Sequence, residues 1–178
     1  MARPRYTSPM ADHRTNAPAG WRKMEEGDLV QVVMDSVRNA LDFYGDYESY
    51  RLGLAELTPG QVAVFATWWV EAEVWNGGWP QFFGNSTGMV APEAVEGYRR
   101  FKMNGVARVV QSAIKFCEFS PYPRDRDERE RRVPDYDANK DEWERLYEAF
   151  DEAMGGPFSP EDGAGPYIRA HPAEFFLP

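Results

Sequence analysis

Residues Thr58 to Gly88 read TPGQVAVFATWWVEAEVWNGGWPQFFGNSTG, and this stretch decides the fold. Thr58 suits a helix N-cap, and Pro59 suits the first helical position, where a backbone N–H would be unpaired anyway. Val62, Phe65, Ala66 and Trp69 form one apolar face at i, i+3, i+4 and i+7, while Val64, Trp68, Ala72, Trp75 and Trp79 form a second. A helix that is apolar on nearly every side is packed by neighbours all round. The spacing therefore predicts a central helix over about 58–76, ended by Gly77-Gly78. Glycine enters a helix C-cap conformation at little cost. Pro80 then starts a new segment that turns Trp79, Phe82 and Phe83 back onto the core.

The polar residues of this hub are few. Glu71 and Glu73 lie two positions apart, so they point to opposite sides of the helix and cannot share a proton as a carboxylate pair. Glu73, Asn76, Gln81 and Asn85 form the candidate polar group: a structural network at the turn, or else a small pocket. The structural reading is preferred, because no His, Lys, Ser-His or Cys-His partner stands nearby in sequence. A buried unpaired polar group costs roughly 1–3 kcal/mol, so these side chains are expected to satisfy one another.

The run Glu73-Val74-x-Asn76-Gly77-Gly78-Trp79-x-Gln81-Phe82-Phe83-x-Asn85-Ser86-x-Gly88, followed by Ala91-Pro92-Glu93-Ala94, resembles the C-terminal-type domain of the DNA mimic protein 19 family. The tail Tyr167-Ile168-Arg169-Ala170-His171-Pro172-x-Glu174-Phe175-Phe176 is similar to that family's closing segment, and the similarity runs from about Leu29 to Phe176. The resemblance implies an all-helical bacterial protein. The family's namesake is an acidic dimer that occupies the DNA-binding surface of a helix-turn-helix-type transcription factor. A homodimer and a DNA-binding partner are what the resemblance implies here; most members have no assigned role.

One domain is the natural reading of 178 residues, with 43% hydrophobic residues to build its core. The fold class expected is all-α, a single helical domain over residues 21–178, preceded by a disordered or draped tail over 1–20 that carries Pro4, Pro9, Pro18 and Gly20. Met10 is an alternative start. The N-terminus lacks the apolar stretch of a secretory signal, and the cytoplasm is the expected compartment. The single cysteine, Cys117, reads as a small buried thiol.

The net charge of −9 is uneven, with three bases against eleven acids in residues 135–178. Such a balance argues against direct nucleic-acid binding, which needs cations to neutralise phosphates. It suits a basic protein partner, or simply solubility. Two amphipathic helices carry the acids. The first, over about Glu26 to Tyr44, buries Leu29, Val30, Val33, Val37, Ala40, Leu41 and Tyr44 and shows Asp28, Asp35 and Asp42 every seven residues. The second, over Ala138 to Met154, buries Trp143, Leu146, Tyr147, Phe150 and Met154 and lines Asp141, Glu144, Glu148, Asp151 and Glu152 on its reverse.

Between them, Ala91-Pro92-Glu93 opens a helix to about Lys102, Gly105 marks a break, and Val106 to Phe116 forms a further helix. RDRDERERR over Arg124 to Arg132 reads as an exposed short helix or loop laced by weak ion pairs. Ser159-Pro160-Glu161-Asp162 signals a short last helix, after which Phe175, Phe176 and Leu177 are expected to tuck inward. No cofactor or metal site is expected. Three functions remain. They are an acidic interaction module of the DNA-mimic kind, an immunity-type or other protein-binding module without mimicry, and, last, an enzyme at Glu73, Asn76, Gln81 and Asn85.

Overall fold

The computed structural model describes residues 12–38, 40–41, 47–156 and 161–178. Eight α-helices follow in order among the described residues: α1 (Glu26–Val37), α2 (Tyr47–Glu56), α3 (Pro59–Gly84), α4 (Ala91–Arg100), α5 (Asn104–Phe116), α6 (Arg126–Arg132), α7 (Lys140–Met154) and α8 (Ala164–Ala170). The only extended pairing among them is an isolated bridge between Thr15 and Phe176. The all-α expectation holds. No helix among the described residues is long and apolar enough to cross a membrane.

Helix α3 is the hub. Thr58 caps it with a reciprocal pair of bonds: Thr58 Oγ1 accepts from Gln61 N–H at 3.2 Å, and Gln61 Oε1 accepts from Thr58 N–H at 3.0 Å. The C-terminal tail adds a carboxylate where the helix dipole favours one, with Glu174 Oε2 accepting from Gly60 N–H at 2.6 Å. Helices α1, α4, α6 and α7 all pack on α3. Its interior residues Val64, Phe65, Ala66, Val70 and Val74 are buried.

The expected end of the helix at Gly77-Gly78 is a break within it. Gly78 sits at φ 77° and ψ 179°, and the chain then resumes a helix through Trp79–Gly84. That backbone conformation is glycine's. The break turns Trp79, Phe82 and Phe83 inward, where all three are fully buried. Trp79 stacks on Phe83 and meets Phe150 of α7 edge-on, so the short second half of α3 carries the aromatic centre of the core.

Five expectations are corrected. Helix α1 stops at Val37 with Arg38 as its C-cap, short of the predicted Tyr44; residues 39 and 42–46 lie outside the described residues. The break after α4 falls at Phe101–Met103, where Lys102 adopts φ 61°, and Gly105 belongs to the first turn of α5. Leu177 is exposed, while Phe175 and Phe176 are buried as expected. Trp75 and Tyr147, both assigned to buried faces, are 47% and 37% exposed. The charged run before Pro134 is not wholly a surface feature, because Arg129 of α6 is completely buried. Residues 12–20 are draped over the core: Thr15 N–H donates to Phe175 O at 3.1 Å, and Leu177 N–H donates to Thr15 O at 2.9 Å.

Candidate functional site

Three places bear on function: the acidic face of α7, the Glu73 network with its cleft, and a second carboxylate cleft at Glu71.

On α7 the carboxylates Asp141, Glu144, Glu148, Asp151 and Glu152 are all exposed. The helix forms because Trp143, Leu146 and Phe150 recur at i, i+3 and i+7 and bury against α3 and α5, leaving the acids outside. Its cations are few. Lys140 lies 3.6 Å from Glu144, and Arg145 is engaged by Glu142, whose carboxyl it holds below its ordinary range through the hydrogen bond. Asp141, Glu148, Asp151 and Glu152 have no cationic partner among the described residues. Like charges at this spacing repel by a few tenths of a kcal/mol per pair.

The acids of α1 differ. Asp28 is exposed and without an ion pair among the described residues, but Asp35 accepts from Arg38 at 3.0 Å and from Gln31 at 2.8 Å. Asp42 lies outside the described residues. Helix α1 packs on α3 and α8, whereas α7 packs on α3 and α5. The two helices meet at one end, where Glu26, Gly27 and Val30 of α1 and Met154 of α7 line one cleft. Asp28, two residues from Glu26, points away from the face of α1 that lines this cleft, and Asp35 sits further along α1.

The Glu73 network forms, with one member changed. Glu73 Oε2 accepts from Gln81 Nε2 at 3.1 Å and from Asn85 Nδ2 at 2.8 Å, and Glu73 Oε1 accepts from Thr87 Oγ1 at 2.9 Å. Gly77 makes the fold-back of Gln81 possible, since a Cβ there would fall 2.0 Å from Gln81 Oε1. Asn76, predicted as the fourth member, lies before the break, is exposed and takes no part. Thr87 takes its place. The break at Gly78 folds the following chain back so that Gln81, Asn85 and Thr87 supply the donors to Glu73. Glu73 and Asn85 also line a cleft of about 610 Å³ with Phe65, Trp68, Trp69, Met34 and Leu41, and with Arg38 and Arg126 on its margin.

Glu71 occupies the opposite side of α3, as the two-residue spacing requires. Its Oε1 accepts from Tyr98 O–H at 3.1 Å, in a cleft of about 570 Å³ that also contains Glu26, Asp162, Phe101 and Met103. Burial pushes the Glu71 carboxyl up to about 7, the Tyr98 hydrogen bond opposes that shift, and the nearby Glu26 adds to it. Cys117 is buried and its thiol is pushed up to about 12 by removal from water, so it is not a ready nucleophile. Among the described residues no three His, Cys, Asp or Glu side chains are grouped to hold a metal ion.

Sequence reasoning missed Arg129. Its guanidinium is enclosed by the backbone, donating to the carbonyl oxygens of Phe83 (3.0 Å), Asn85 (2.7 Å), Ser86 (3.4 Å), Pro123 (3.3 Å) and Arg124 (2.6 Å). Five N–H donors meet five carbonyls, and burial lowers the pKa of the group. Nothing in RDRDERERR distinguishes this arginine from its four neighbours. Also missed was a cluster of exposed aromatics, Trp75, Tyr136 and Tyr147, around a cleft of about 560 Å³ between the α3 break and α7.

No curated protein and no solved structure matches the chain. A family model described as DMP19-like protein matches residues 55–171, from the start of the hub through α8, which includes α3 with its break, the Glu73 network and the acidic helix α7. With most of its length matched, the chain belongs to the DMP19-like protein family.

Proposed function

We propose that this protein is an acidic protein-binding module that uses the exposed face of α7 to occupy the DNA-binding surface of a basic protein, as a DNA mimic. The observation that carries the reading is the row Asp141, Glu148, Asp151 and Glu152, exposed and without a cationic partner among the described residues. A helix that keeps unneutralised carboxylates on one side, with Asp151 and Glu152 three and four residues from Glu148 despite their mutual repulsion, offers fixed negative charge to a basic groove.

The test uses affinity capture from a native lysate, followed by binding measurements with the purified partner. Affinity should fall steeply with added salt, and duplex DNA should compete for the partner's surface. Changing Glu144, Glu148 and Asp151 to Gln, Gln and Asn should weaken binding while leaving the fold intact. A basic nuclease as partner, with no competition from DNA, would favour the immunity-type module instead. A salt-insensitive complex, or one indifferent to the triple change, would remove α7 as the interface.

The cleft at Glu73 favours a second reading, a pocket for a small molecule with Glu73 as its polar anchor. Against a catalytic role stand the three hydrogen bonds that Glu73 already accepts, which hold it as a structural acceptor. Full stability with loss of a measurable activity in Asn85→Ala would reverse that preference.

A further inference from the structure

Three of the six exposed large hydrophobic side chains of the described residues, Trp75, Tyr136 and Tyr147, line a single cleft at the break of α3. Exposed aromatics gathered in one place mark a contact surface, since Trp and Tyr are enriched where partners bind. The other side chains at the rim are acidic. Glu144 and Glu148 border the cleft, and no lysine or arginine lines it. Lys140 stands outside, 3.6 Å from Glu144, in an ion pair whose members are both more than half exposed and therefore weak.

The backbone adds negative character. Pro80 has no N–H, so the Asn76 carbonyl cannot receive the usual i+4 hydrogen bond, and Asn76 lies on the cleft wall. Here the first half of α3 ends, with the negative end of its dipole directed at the opening. Aromatic faces, carboxylates and a helix C-terminus all favour a cation.

We propose that this cleft receives one arginine side chain of the basic partner, held among Trp75, Tyr136 and Tyr147, stacked on Tyr147 and paired with Glu148. Arginine fits better than lysine because its planar, weakly hydrated guanidinium can stack on a ring and donate in the ring plane to a carboxylate at the same time. This inference rests on the reading of the chain as a binder of basic proteins, and it supplies that reading with an apolar anchor beside the charged row on α7.

The test is a titration with blocked tri-arginine, tri-lysine and tri-citrulline peptides, followed by the indole N–H resonances in NMR. The Trp75 signal is assigned by its loss in Trp75→Phe. Tri-arginine should shift the Trp75 resonance saturably, tri-lysine should bind several-fold more weakly, and the uncharged citrulline peptide at least ten-fold more weakly. Tyr147→Ala and Glu148→Gln should each weaken tri-arginine binding several-fold, and Asp28→Asn should not. Equal shifts with citrulline, or arginine binding untouched by Tyr147→Ala, would overturn the proposal. The two readings fail separately. If the triple change on α7 abolishes partner binding and Tyr147→Ala does not weaken it, the acidic face stands and the arginine anchor falls. If the triple change has no effect on the partner, the acidic-face reading falls, and the peptide titration still judges the cleft.

Discussion

Arg129 Nη2 donates to the carbonyl oxygen of Asn85 at 2.7 Å, while the Asn85 side chain donates to Glu73 at 2.8 Å. One residue of the hub turn is thus held twice, by its backbone from α6 and by its side chain from α3. The buried cation has no carboxylate within ion-pair distance among the described residues; its charge is spread over five carbonyl dipoles. This links the charged segment before Pro134 to the polar network at Glu73, and so to the cleft beside it.

Removing that cation should be severe. Arg129→Met removes the donors that five carbonyls share, and a loss of about 3–5 kcal/mol is expected, the range for breaking a buried charged group's partners. Arg129→Lys should recover little, since an ammonium has three donors and no planar fork. Urea denaturation measures both. A lysine variant as stable as the parent would show that charge alone suffices there.

The Glu73 network should respond at Asn85 and not at Asn76. Asn85→Ala removes a 2.8 Å donor to a partly buried carboxylate and should cost about 1–3 kcal/mol. Asn76→Ala, at an exposed position outside the network, should fall within about 0.5 kcal/mol of the parent. Equal effects of the two changes would contradict the described hydrogen bonding.

The aromatic residues of α3 should separate by burial. Trp79, fully buried against Phe83 and Phe150, should cost about 3–5 kcal/mol on change to Ala. Trp75, 47% exposed, should cost about 1 kcal/mol or less. Thermal unfolding of the two variants side by side checks the ranking. Trp69, which is only partly buried at the edge of the Glu73 cleft, should fall between them.

Glu71 should make stability fall as pH rises. Its carboxyl is raised from 4.5 to about 7 in the folded protein, chiefly by burial, so the folded state holds the proton more tightly than the unfolded chain. The contribution is fully present below about pH 4.5 and is lost as the pH climbs to about 7. Within that window the slope from this group approaches roughly 1.4 kcal/mol per pH unit. Glu71→Gln keeps an acceptor for Tyr98 and should flatten the slope, becoming the more stable protein at pH 8. A slope that persists in the variant would assign it to other groups.

Much of the architecture was legible locally. The periodicities of α1, α3, α5 and α7, the N-cap at Thr58, and the opposed placement of Glu71 and Glu73 all follow from 3.6 residues per turn and from end chemistry confined to a few neighbours. The change of direction at Gly77-Gly78-Pro80 was equally local, because it depends on what those residues' own backbones permit. The family resemblance added the DNA-mimic expectation, which periodicity could not supply.

What the sequence could not decide is which side chains a neighbouring element covers. Arg129 is buried because carbonyls 43 to 46 residues away converge on it, and nothing within RDRDERERR records that approach. Trp75 and Tyr147 have helical positions suited to a core, yet α7 meets α3 through Trp79 and Phe150 and leaves both rings at the rim. Asn76 lost its place to Thr87 once the break redirected the chain. Sequence spacing determines which residues share a face, because that is geometry within one helix; burial, pairing and the unneutralised acids of α7 were decided by tertiary packing, because they depend on contacts between segments far apart in the chain.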